Sequence, residues 1–219
     1  MMTTTQRDAG FSLLLACLFL ALCFGAAEWT AGTPLFSLSP PGGGAADMAE
    51  SLRQDLHLTF FTIWAALLLA APALALLPGI NRSRQAWRWW RITWSASLVV
   101  FAVHFYWAVV IIFDNDWSRI LNTPRVTVPR LDTVFAVWWV IDVGLAWTWQ
   151  TRAYWMLCQR WALHLLAFVL FFVGAAREGE LPISRALGWA MAVLVLLGLL
   201  RWLFRRNTAA DLDSGVFRR

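Results

Sequence analysis

Long apolar runs alternate with short polar connections along this chain. Six runs stand out: Phe11–Ala27, Leu58–Leu77, Trp94–Phe113, Thr133–Gln150, Trp161–Ala176 and Ala186–Phe204. A helix needs about 20 apolar residues to cross a hydrocarbon layer about 30 Å thick. Each run therefore predicts a transmembrane helix, with the shorter first and fifth extending by a few residues at their ends. The expected fold class is all-α, an integral membrane bundle of six helices forming one domain over residues 1–206. A flexible polar tail over 207–219 follows it.

The polar positions predict orientation. Arg7, Arg82, Arg84, Arg88, Arg91, Arg152, Arg160, Arg201, Arg205, Arg206, Arg218 and Arg219 fall on one side of the runs. Arg53, Arg119, Arg125, Arg130, Arg177 and Arg185 fall on the other. Basic residues collect on the cytoplasmic face, so both termini are expected there. The first run also resembles a cleaved signal peptide, with Arg7 before it and Gly25-Ala26-Ala27 behind it. Its length, and Trp29 just beyond it, favour a retained signal anchor.

The connections carry signals of their own. In the first external loop, Pro34, Pro40, Pro41 and Gly42–Gly44 predict irregular chain. Asp47 and Glu50 then have the spacing of a capping box, and Met48, Leu52 and Leu56 share a helical face. An amphipathic helix over about 47–57, lying on the outer surface and leading into the second span, is expected. Pro72 is expected to kink that span. In the first cytoplasmic connection Arg84, Arg88 and Arg91 share one helical face, and Trp87, Trp90 and Trp94 another. Beside a transmembrane run this suits a lipid headgroup layer, and no nucleic-acid partner is expected.

Composition narrows the class further. The chain has 219 residues, 60% hydrophobic and 14% charged, with mean hydropathy +0.60. Soluble domains are nearer 45–50% apolar and about 25% charged, so a soluble domain, a disordered chain and a disulfide-stapled module are all excluded. All eighteen basic residues are arginine. Without lysine there is no retinal Schiff base, no pyridoxal-phosphate aldimine and no P-loop lysine. Cys17, Cys23 and Cys158 have neither CxxC nor metal-ligand spacing.

Asp142, in the sequence Val-Ile-Asp-Val-Gly, is the main candidate for chemistry. An aspartate at the centre of a span adds about 2.5–3.5 kcal/mol to its insertion cost, so it faces the protein interior and pairs. His104 is its expected partner. Counting from Trp94 and Gln150 as the cytoplasmic ends, the two differ in depth by about 3 Å. Such a pair serves either as a proton relay or acid–base dyad, or as a packing hydrogen bond. Tyr106, Trp107, Trp138 and Trp139 lie close to it in sequence and are weak candidates to line a cavity for a flat ring such as a quinone. Haem b needs two facing axial ligands. His57, His104 and His164 fit this poorly, because His164 is offset from His104 by about 10 Å. No cofactor and no metal is expected. Asp114, Asn115, Asp116 and Asp132 read as a solvated cluster at helix ends rather than a cation site.

Close helix contacts are signalled by the small-xxx-small pairs Ala21/Gly25, Ala66/Ala70, Ala186/Ala190 and Gly188/Ala192. Hydrolase, zinc-protease and dinucleotide motifs are absent, as is any internal repeat. Two functional expectations follow. One is a non-catalytic accessory subunit or assembly factor of a larger complex in a bacterial inner membrane, with a membrane-protein partner or a second copy of itself. The other is an autonomous proton-coupled transporter or membrane-lipid enzyme working through His104 and Asp142.

Overall fold

The computed structural model describes residues 3–30, 50–122, 128–149, 153–179 and 181–216, with only the backbone path described for 50–55 and 205–216. Asp47, Met48, Pro124, Gln150 and the first-loop prolines lie outside these residues. The described chain is all helical: α1 (Thr4–Thr30), α2 (Glu50–Leu76), α3 (Arg84–Tyr106), α4 (Trp117–Asn122), α5 (Pro129–Thr148), α6 (Tyr154–Phe172) and α7 (Pro182–Val216). Six of the seven, all but α4, are long and apolar enough to cross a membrane. Each contains one of the six apolar runs or most of it.

Local chemistry sets the helix ends. Ser83 caps α3, its hydroxyl accepting from Ala86 N at 3.2 Å. Pro129 opens α5 and Pro182 opens α7, where the missing N–H costs nothing. α3 and α6 both finish in π-helical turns, Trp107–Ile112 and Val173–Arg177. Asp114 and Asn115 then turn the chain with φ of 52° and 58°, a left-handed region these residue types tolerate. Asp116 caps α4 by accepting from Ser118 N and Arg119 N. This part of the acidic cluster therefore sits at helix ends. α2 runs unbroken from Glu50, so residues 50–57 are continuous with the second apolar run. It carries Pro72 in its interior and stays helical to Leu76. α7 continues to Val216, through most of the expected tail.

α2 sits at the centre of the bundle. α1 and α3 pack on one side of it and α7 on another, while α5 and α6 close against α3 and α7. Its buried face is rich in alanine: Ala65, Ala66, Ala70, Ala71 and Ala73. Small side chains let the neighbouring backbones come close. Ser97 of α3 reaches Ala66 O at 2.6 Å. A Cβ at Gly198 of α7 would stand 2.4 Å from Ala75 O. A Cβ at Gly188 would stand 2.8 Å from Ala176 Cβ. Of the small-residue pairs, Ala66/Ala70 is fully buried, whereas Ala21 and Gly25 are exposed and a Cβ at Gly25 would meet no atom of the bundle within 4 Å. Outward faces elsewhere are apolar, as with Leu14, Leu165 and Val140, which suits a hydrocarbon solvent.

A bulky residue at Gly198 must push α7 off α2. Gly198→Leu is expected to cost about 1–3 kcal/mol through overpacking, and Gly25→Leu close to nothing. Thermal unfolding of the two detergent-solubilised variants measures the difference. Equal melting temperatures would contradict this packing.

Candidate functional site

The arginine-rich end of the bundle holds two clusters of buried charge, organised around the first half of α3. The first centres on Asp142, which is wholly buried. Its Oδ2 accepts from Trp94 Nε1 at 3.1 Å. Its Oδ1 accepts from Gln159 Nε2 at 2.6 Å and from Arg160 Nε at 3.3 Å. Three helices thus meet on one carboxylate: α5 supplies the acid, α3 an indole and α6 an amide and a guanidinium. Gln159 also accepts from Trp138 Nε1 at 3.0 Å.

Arg160 is 1% exposed, and its guanidinium lies over the rings of Trp87 and Trp90, 4.8 and 5.1 Å from their centroids. One turn further along α6, His164 is held at both ring nitrogens. Nδ1 donates to Arg160 O at 2.8 Å, and Nε2 accepts from Trp90 Nε1 at 2.8 Å. A carbonyl only accepts and an indole N–H only donates, so these bonds select the neutral Nδ1–H tautomer. Neither ring nitrogen is left for a haem iron. The imidazole stacks on Trp94 with ring centroids 4.1 Å apart, and Trp94 meets Trp139 at 4.4 Å with the rings tilted by 32°. Phe101, Phe135 and Phe171 continue this aromatic column towards the opposite end.

The second cluster ties α1 to α3. Asp8, 1% exposed, accepts from Arg88 Nε at 2.7 Å and Arg91 Nη2 at 3.0 Å. Arg91 is itself buried over Trp147, 4.1 Å from the ring centroid, and Trp147 Nε1 donates to Ser95 Oγ at 2.8 Å. One turn beyond Asp8, Ser12 Oγ donates to Ile92 O at 3.0 Å.

The structure does not bring His104 and Asp142 together. His104 Nδ1 donates instead to Thr59 O of α2 at 3.0 Å, with Thr62 Oγ1 3.5 Å away. The reason is register. α3 begins at Arg84, ten residues before Trp94, so Trp94 rather than His104 stands level with Asp142. His104 lies about 15 Å further along the same axis. The four aromatic candidates are separated in the same way. Trp139 is buried in the core and Trp138 bonds Gln159, while Tyr106 is exposed and Trp107 packs on Phe24 at 5.8 Å. A cleft of about 200 Å³ at that opposite end is lined by Phe24, Ala27, Glu28, Leu58 and Trp107.

Sequence reasoning missed Asp8, Arg91, Gln159 and Arg160 as partners. Two signals were present. Asp8, Ser12 and Ala16 recur every fourth residue on an otherwise leucine-rich helix, and Arg160 and His164 share a face of the fifth run. No protein-family model, curated protein or solved structure matches the chain.

Asp142→Ala leaves the Arg160 guanidinium buried without its counter-ion, which is expected to cost about 3–5 kcal/mol. The double variant Asp142→Leu/Arg160→Met is expected to recover most of that loss. A thermodynamic cycle on Asp142→Leu, Arg160→Met and the double variant in detergent reads the coupling. Additive losses would show that the two residues do not act as a pair.

Proposed function

We propose that this chain is a multi-spanning protein of a bacterial inner membrane, with both termini in the cytoplasm, and that it serves as a non-catalytic accessory subunit or assembly factor of a larger membrane complex. The observation that carries this reading is the closure of the Asp142 cluster. Asp142, Arg160 and His164 are each no more than 2% exposed, both carboxylate oxygens and His164 Nε2 are used in bonds between helices, and His164 Nδ1 is used within its own helix by Arg160 O. A group in that state holds helices together. It offers neither a proton route nor a face to a substrate.

The orientation rests on charge. The ends of α1, α2, α3, α5, α6 and α7 that carry the larger share of arginines lie together, and basic residues favour the cytoplasmic side. The short connections and the all-arginine basic set favour a bacterial membrane. A partner is favoured by the apolar surface left outside the bundle, such as Val134, Val137, Val140 and Ile141 on α5, each more than half exposed. In a membrane that surface meets lipid or another helix.

Purification of the full chain from its own membranes in a mild detergent tests the proposal. One or more membrane proteins are expected to co-elute in fixed proportion, and their assembly is expected to fail when the chain is deleted. His104→Ala is expected to restore that assembly. Isolation as a monomer or homo-oligomer, with His104→Ala abolishing a cellular phenotype at normal abundance, would overturn the proposal in favour of an autonomous transporter or lipid enzyme. Labelling of terminal tags from either side of sealed vesicles checks the orientation.

A further inference from the structure

The charges of the α1–α3 cluster do not cancel. Asp8 and Arg91 are both buried and neutralise each other across 3.0 Å. Arg88 is the surplus cation. Its side chain is 51% exposed, and only Nε is used, by Asp8 Oδ1 at 2.7 Å. Its two terminal nitrogens take no protein acceptor among the described residues. Arg84, one turn nearer the helix end on the same face, is exposed and likewise without an acceptor among the described residues. So is Arg7, the residue before Asp8.

We propose that the seam between α1 and α3 at the arginine-rich end binds the phosphate of an anionic phospholipid, held by the terminal nitrogens of Arg88 and by Arg84. The proposal rests on the reading that this end of the bundle lies in a headgroup layer. Two features make it more than a diffuse basic surface. Arg88 is preorganised: Asp8 fixes its Nε, Asp8 is fixed by Arg91, and Arg91 is seated on Trp147. A guanidinium already held in place loses little freedom on accepting a phosphate, and its paired donors match phosphate oxygens. The seam also continues into apolar surface suited to a glycerol and acyl chain. Phe11 and Trp89 meet edge to face at 5.8 Å, 41% and 38% exposed, and Leu14 lies one turn further along α1. Arg88 stands about 6 Å inside the start of α3, between exposed Arg84 and the apolar part of the helix.

The probes are dioleoylphosphatidylglycerol, dioleoylphosphatidylcholine and inorganic phosphate, added to the full chain in detergent. Native mass spectrometry counts bound lipid, and thermal unfolding reads its effect on stability. Phosphatidylglycerol is expected to bind and to raise the melting temperature, and the other two are not. Arg84→Gln is expected to weaken that binding about tenfold, the loss of one charge-assisted contact, and Arg84→Gln/Arg88→Gln about a hundredfold, the loss of two. Arg119→Gln, on α4 at the opposite end, is expected to leave it unchanged. Arg88→Gln removes a partner of Asp8, so if the double variant fails to fold, Arg84→Gln alone carries the test. Equal binding by phosphatidylcholine, equal stabilisation by inorganic phosphate, or unchanged binding in both arginine variants would each overturn the proposal. Resistance of every variant to alkaline extraction from membranes would show that the membrane reading survives such a failure.

Discussion

A carboxylate that water cannot reach must find all its hydrogen bonds inside the protein. Asp142 does so by drawing on Trp94, Gln159 and Arg160, so α3, α5 and α6 have one mutual height and rotation at which that demand is met. Arg160, itself buried, bonds the carboxylate through Nε and lies over the faces of Trp87 and Trp90, while its Nη2 takes no hydrogen bond among the described residues. His164 closes the arrangement through its own backbone turn and the Trp90 indole. The aromatic column rests on this polar floor, because Trp94, which donates to Asp142, also stacks on the His164 ring that Trp90 holds.

α3 is the hinge of this organisation because its first turns carry two chemistries on two faces. The tryptophan face joins α5 and α6, and the arginine face joins α1 through Asp8. α2 works differently. It offers alanines too small to cover its backbone carbonyls, and its neighbours approach until a serine or a glycine is the residue that fits. Polar pairs thus set the arginine-rich half of the bundle, while close backbone packing sets α2 and α7.

The need for a partner at Asp142 was legible from its position in an apolar run, but the partner was not. Arg160 has the composition of a topology marker, and Trp94 that of an interfacial anchor. The two residue types play those roles in most membrane proteins. Only a helix start at Arg84 rather than Trp94 moves the level of α3 far enough to exchange His104 for Trp94. The cluster at Asp8 was still less visible, since an acid directly after Arg7 in a short polar N-terminal segment looks like ordinary solvated chain. Its periodicity with Ser12 and Ala16 was the one available sign.

The pattern of apolar and basic positions therefore determined the all-helical class, the six helices long and apolar enough to span a membrane, and the end of the bundle at which arginine collects. Those properties depend on each segment by itself, through its length against a hydrocarbon thickness and its cost of burying charge. The tertiary structure decided which buried groups meet. That depends on the height and rotation of one helix against another. Small-residue contacts and the satisfaction of a few polar groups settle both, and neither is a property of any single segment.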